Sequence, residues 1–147
     1  MSAFHDVYVL VTARTAEAVE RFLDRFVPHR EPSTEEYRVP QFADEPTTVF
    51  FESMELVAYC VAHPDVAHGI YWRNLDDCDP FHAMAFFTSD GGMVLGLSVV
   101  ANPDRWLDDL LSMTGGEIGY WTFEEPPPDS ILEFKDRAAS MANREIE

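Results

Sequence analysis

The sequence predicts an α+β domain, with one mixed, mostly antiparallel sheet of about five or six strands covered by about four helices. Three observations predict it. Short runs with strand patterning recur along the chain: VYVLV (7–11), GIYWR (69–73), HAMAFFT (82–88), GMVLGLSVV (92–100) and IGYWTF (118–123). Between them lie stretches whose apolar residues repeat every three or four positions, the spacing of one helix face. Two of the strands are joined by no more than a turn, which favours antiparallel neighbours, because a parallel pair needs a long crossover. A length of 147 residues suits a single domain over 1–147.

Val7 to Val11 is a continuous apolar run, the mark of a strand buried on both faces. Thr15 is placed to cap a helix that aligns Val19, Phe22, Leu23 and Phe26, and Pro28 stops it. Residues 27–46 hold four of the ten prolines and five acids, and are expected to form an acidic surface loop. TTVFF (47–51) has strand character. In SMELVAYCVAHP, Leu56, Val57, Cys60 and Val61 keep helical spacing, with Ser53 as cap, Glu55 in the first turn and Pro64 as stop. A helix is therefore preferred to a strand over 53–63.

The acidic loop NLDDCDP joins GIYWR to HAMAFFT, and Asp90-Gly91 suits a tight hairpin into GMVLGLSVV. Asn102-Pro103-Asp104 starts a helix with Trp106, Leu107, Leu110 and Leu111 on one face, and Gly115-Gly116 ends it. EEPPP leads extended into a last helix, capped by Asp129 or Ser130, with Ile131, Phe134, Ala138 and Met141 inward.

Charge narrows the function. The net charge is −17, and residues 31–129 carry 19 acids against three arginines. Nucleic-acid binding needs cations for the phosphates, and an anionic membrane surface would repel such a chain, so neither partner is expected. A basic partner is. No apolar stretch approaches the roughly 20 residues of a membrane span. The N-terminal MSAFHDVYVLVTARTA lacks a basic segment ahead of its apolar run, so it is expected to be a strand and not a signal, in a cytoplasmic protein. Cys60 and Cys78 are expected to be free, buried thiols.

Motifs for chemistry are sparse. His63 and His68, with Cys60, Cys78 or His82 to complete the set, have the residue types of a zinc site, but Pro64 breaks the helix that would align them. Asp76, Asp77 and Asp79 lack the glycine and distal glutamate of a calcium loop. GGEIG (115–119) runs from helix to strand, the reverse of a phosphate cradle. Ser98 and Ser112 have no nucleophile-elbow context. No catalytic residue, metal or cofactor is expected. Tyr71-Trp72 and Tyr120-Trp121 each send one ring to either face of a strand, and the outward ring is either covered by a helix or an anchor for a partner.

The succession FHAMAFFTSDGGMVLGLSVV, a helix with WLDDLLSMTGG, then EIGYWTFEEPPP resembles the small acidic immunity proteins of bacterial polymorphic-toxin systems over residues 82–128, with YWRN (71–74) adding to the likeness. The resemblance implies a non-catalytic protein that binds and neutralises a cognate basic toxin. On that reading Asp76, Asp77, Asp79, Asp90, Glu117, Glu124 and Glu125 supply the charge and Trp121 an anchor, with a homodimer also open to the chain through a free strand edge. Two alternatives stand beside it: a small enzyme or ligand-binding domain with a pocket lined by His63, His68 or His82, and a non-catalytic adaptor in a larger assembly.

Overall fold

A computed structural model describes residues 4–146. Its elements are β1 (His5–Val11), α1 (Ala16–Phe26), β2 (Arg30–Pro32), β3 (Tyr37–Val39), β4 (Thr48–Phe50), α2 (Ser53–Ala62), β5 (His68–Asn74), β6 (His82–Phe87), β7 (Met93–Val99), α3 (Pro103–Thr114), β8 (Ile118–Phe123) and α4 (Ile131–Ile146). The α+β architecture is the predicted one. Six strands form the main sheet in the order β2-β5-β6-β7-β1-β8, with every pairing antiparallel, and β3 and β4 form a two-stranded sheet beside it.

Alternation along the strands divides the core in two. Val7, Val9, Val11, Ile70, Trp72, Ala83, Ala85, Leu95 and Leu97 face one way, under Val19, Phe22, Leu23 and Phe26 of α1, Leu56, Val57 and Cys60 of α2, and Leu110 of α3. Tyr8, Leu10, Met84, Val94 and Tyr120 face the other way, where Ile131, Phe134, Ala138 and Met141 of α4 pack on them. β1 is buried along almost its whole length because both of its faces are covered.

Several expectations need correction. Residues 27–46 are not a plain surface loop. Arg30–Pro32 pairs with β5, and Tyr37 and Val39 point inward from a strand paired with β4. Strands of three residues with prolines beside them carry too little alternation to be recognised. TTVFF contributes β4 to the small sheet and not to the main one. Ser53 does not cap α2. Glu52 holds the cap position, and Ser53 lies buried inside the first turn, where its hydroxyl accepts from Trp72 Nε1 at 3.2 Å.

Asn102 takes a left-handed backbone (φ 56°) and makes no side-chain cap to α3. Ser130, of the two candidates, caps α4 through the Glu133 amide at 3.2 Å. Cys60 is buried as expected, but Cys78 is exposed. At the β6–β7 turn only Gly91 needs the positive φ, at 87°.

Arg14, which no sequence pattern singles out, ties three segments together. Its guanidinium donates to the carbonyls of Cys60 in the last turn of α2, of His63 and Val66 beyond it, and of Thr88 and Gly92 on the β6–β7 hairpin, at 2.7–3.1 Å. It also lies over the Phe87 ring, 5.0 Å from the centroid. A cation at the C-terminal end of α2 suits the helix dipole, and five carbonyls satisfy its donors without a carboxylate.

Candidate functional site

On the face that α4 covers, register places like beside like. At the hairpin end, Gly69, Phe86, Val94, Leu10 and Ile118 form an apolar row across five strands. Two residues along, Tyr71, Met84, Gly96, Tyr8 and Tyr120 form a mainly aromatic row. Two further on, every strand of the sheet contributes a polar residue: Glu31, Arg73, His82, Ser98, Asp6 and Thr122. Residues of this row are far apart in sequence and meet only through the sheet.

Above the polar and aromatic rows lies a cavity of about 510 Å³, with Asp6, Ser98 and His82 on its floor and Phe4, Tyr8, Tyr71 and Glu124 among its walls. Gly96 makes room for one wall. A Cβ there would stand 2.7 Å from the Tyr8 ring, so only glycine lets that ring lie across β7. The Tyr8 hydroxyl then donates to the Glu125 carbonyl at 2.7 Å, which pins the linker after β8 over the row. Glu124 begins that linker with φ at 42°, a left-handed conformation that costs a non-glycine residue on the order of 1 kcal/mol.

Asp6 is only 8% exposed. Burial raises its pKa above the ordinary carboxylate value, although the Ser98 and Tyr8 hydroxyls and the Glu125 amide favour the charged form, and Glu124 adds a smaller upward push. His82 is held below the usual imidazole range by burial and by the charge of Arg73. Arg73 itself is paired with Glu31. Across the strands the order is His82, Ser98, Asp6, so serine lies between the imidazole and the carboxylate. A nucleophilic triad needs the imidazole in the middle, and this order does not provide it.

The predicted partner-binding residues divide between the two ends of the sheet. Asp76, Asp77 and Asp79 on the β5–β6 loop and Glu124 and Glu125 after β8 share the end that carries the polar row. Asp90 on the β6–β7 hairpin and Glu117 before β8 lie at the other end, roughly 20 Å away along strands of this length. One compact face does not hold them all.

Several of these carboxylates also have structural partners. Asp79 accepts from the Val100 and Ala101 amides at 2.7 and 3.0 Å. Asp90 accepts from the Ile131 amide at the start of α4, at 3.2 and 2.9 Å, and bonds with Thr88 and Ile131 hold its pKa low. Glu125 pairs with Arg137 at 3.0 Å, and Asp76 with His29 at 3.2 Å. Trp121 is half-buried against the three-helix side and donates from Nε1 to Asp104 at 2.8 Å, so it is not a free anchor. Tyr71, at 40% exposure, is the outward ring left open.

No family model matches this chain, and neither a curated protein nor a solved structure matches it. Its site therefore stands on its own geometry.

The three histidines do not converge. His68 and His82 lie at opposite ends of paired strands, roughly 17 Å apart along them. His68 is buried with its ring nitrogens against the carbonyls of Gly69 and Arg38, and burial lowers its pKa despite these contacts. His63 is exposed and stacked on Tyr59. Among the described residues no three of His, Cys, Asp or Glu are grouped to hold a metal ion. No described helix is long and apolar enough to cross a membrane. The Cys60 thiol, pushed up to about 11 by burial, has no nucleophilic character at neutral pH.

Proposed function

We propose that the chain is an immunity-type inhibitor that binds a cognate basic bacterial toxin and neutralises it by electrostatic and steric occlusion, without catalysis. The observation that supports this reading best is the grouping at one end of the sheet. There the exposed Asp76, Asp77 and Glu125 share one end of the sheet with an open cavity that Glu124 lines and Asp6 floors. Steering by a −17 chain speeds the approach of a cationic partner. Carboxylates at the contact then occupy the surface on which a phosphate-bearing substrate of the toxin would bind. Asp79 serves indirectly, by holding the β5–β6 loop against the end of β7.

The test pairs this protein with the product of the adjacent gene. Affinity measured at about 50 and 300 mM salt should fall with salt, as contacts between exposed charges are screened. Co-expression should restore growth to cells producing that product. Asp76→Asn with Asp77→Asn, leaving Asp79 in place, should slow association severalfold at low salt and flatten its salt dependence. An unchanged rate would remove this loop from the interface, and no binding together with no rescue would overturn the cognate-pair reading.

A further inference from the structure

We propose that the cavity above the polar row receives one arginine side chain of the protein partner, with the guanidinium against Asp6 and Glu124 and between aromatic rings. The inference rests on the reading of a basic protein partner and adds where that partner is gripped. Its starting point is an imbalance of charge. Asp6 is a carboxylate more than nine-tenths buried, and among the described residues it forms no ion pair with an arginine or lysine. The cations beside the row are already taken, Arg73 by Glu31 and Arg137 by Glu125. Glu124 adds a second carboxylate at the rim, and among the described residues no lysine or arginine lines the cavity.

The shape and lining suit a guanidinium. Phe4, Tyr8 and Tyr71 offer ring faces and edges at the walls, and a planar cation stacks on such faces while its fork of donors reaches carboxylate oxygens. Ser98, next to Asp6 in register, supplies a further acceptor. The cavity, about 510 Å³, has room for the whole side chain. A lysine ammonium would be attracted by the same carboxylates but has neither the plane nor the fork. Burial's upward push on the Asp6 pKa is the cost that a bound cation would relieve.

The probe is Nα-acetyl-arginine amide, titrated into the whole protein and followed by NMR at the side-chain resonances of Tyr8, Tyr71 and His82. The lysine analogue and the neutral citrulline analogue are run beside it. Saturable shifts are expected with arginine, weaker ones with lysine and none with citrulline. Asp6→Asn should weaken the arginine affinity at least fivefold, and Glu124→Gln, on the exposed linker and harmless to folding, should weaken it about twofold. Equal shifts with arginine and citrulline, or an arginine affinity unchanged in both variants, would overturn the proposal. This readout needs no toxin. Failure of the adjacent gene product to bind would count against the proposed function, while the titration would still decide whether the cavity takes a guanidinium.

Discussion

The two faces of the main sheet are built from alternate residues of the same strands, yet they do different work. One face lies under three helices, and its inward residues are almost all aliphatic or aromatic. The other changes along the strands from an apolar row through an aromatic row to a polar one, and α4 packs on the first two. Asp6 and Val7 are neighbours in sequence, but one floors a cavity and the other is fully buried in the larger core. Buried apolar side chains are concentrated on the closed face, and polar ones gather at one end of the open one.

The largest effects should come from the closed side. Arg14→Ala removes a cation that satisfies five carbonyls and should cost about 3–4 kcal/mol. In a chain of this size that lowers Tm by roughly 10 °C, readable by calorimetry. Arg14→Lys should recover less than half, because one ammonium cannot reach both α2 and the hairpin. Next comes a matched pair on paired strands. Leu97→Ala, on the closed face, should cost about 3 kcal/mol, and Met84→Ala roughly half of that, because Met84 already borders the cavity and leaves less new void. Equal costs in denaturant unfolding would mean that the open face is as tightly packed as the closed one.

The same contrast explains what could be read from the sequence. The strands at 7–11, 69–73, 82–88, 92–100 and 118–123 were legible because short apolar or aromatic runs bounded by turn residues have few other fates in a folded domain. β2 and β3 were not, having three residues each. The loop acids were legible as exposed charge, but their division between two ends depends on strand direction. The polar row was hidden because each strand supplies only one member of it. Asp6 stands near the start of β1, Arg73 near the end of β5, His82 at the start of β6, Ser98 near the end of β7 and Thr122 near the end of β8. In an antiparallel sheet those starts and ends share one edge, so aligning polar residues at alternating strand termini was the one signal that could have found it. Arg14 had no such signal, because its partners are backbone carbonyls.

Asp6→Asn should act with the opposite sign to the core substitutions. A carboxyl with a raised folded pKa contributes stability that is complete below the unfolded value and is lost as pH rises through the folded one. At neutral pH the charged Asp6 is therefore a cost. The amide keeps the shape without the charge and should raise stability by up to about 1 kcal/mol in urea unfolding. Partner binding should weaken in the same variant, a separation of stability from function that a purely structural Asp6 would not give. Loss of stability in Asp6→Asn would place that residue with the closed face.

The smallest effect is the pH slope between about 7.5 and 5.5, and it divides between the faces. His68 and His82 both have lowered pKa values, each chiefly from burial. An imidazole whose folded pKa lies below the ordinary 6.5 contributes stability that is present above that value and is lost as pH falls through it, because the unfolded chain binds the proton first. Tm should therefore drop by a few degrees over this range. The Asp6→Asn background excludes any contribution of opposite sign from that carboxyl, whose pKa burial raises. Asp90 does not interfere, since its lowered pKa puts its window below 3.8. His68 shares the closed side of β5 with Ile70 and Trp72 and is buried, whereas His82 is half-buried on the open row. His68→Gln should remove most of the slope and His82→Gln little of it. The reverse would mean that the polar row is drier than the cavity above it implies.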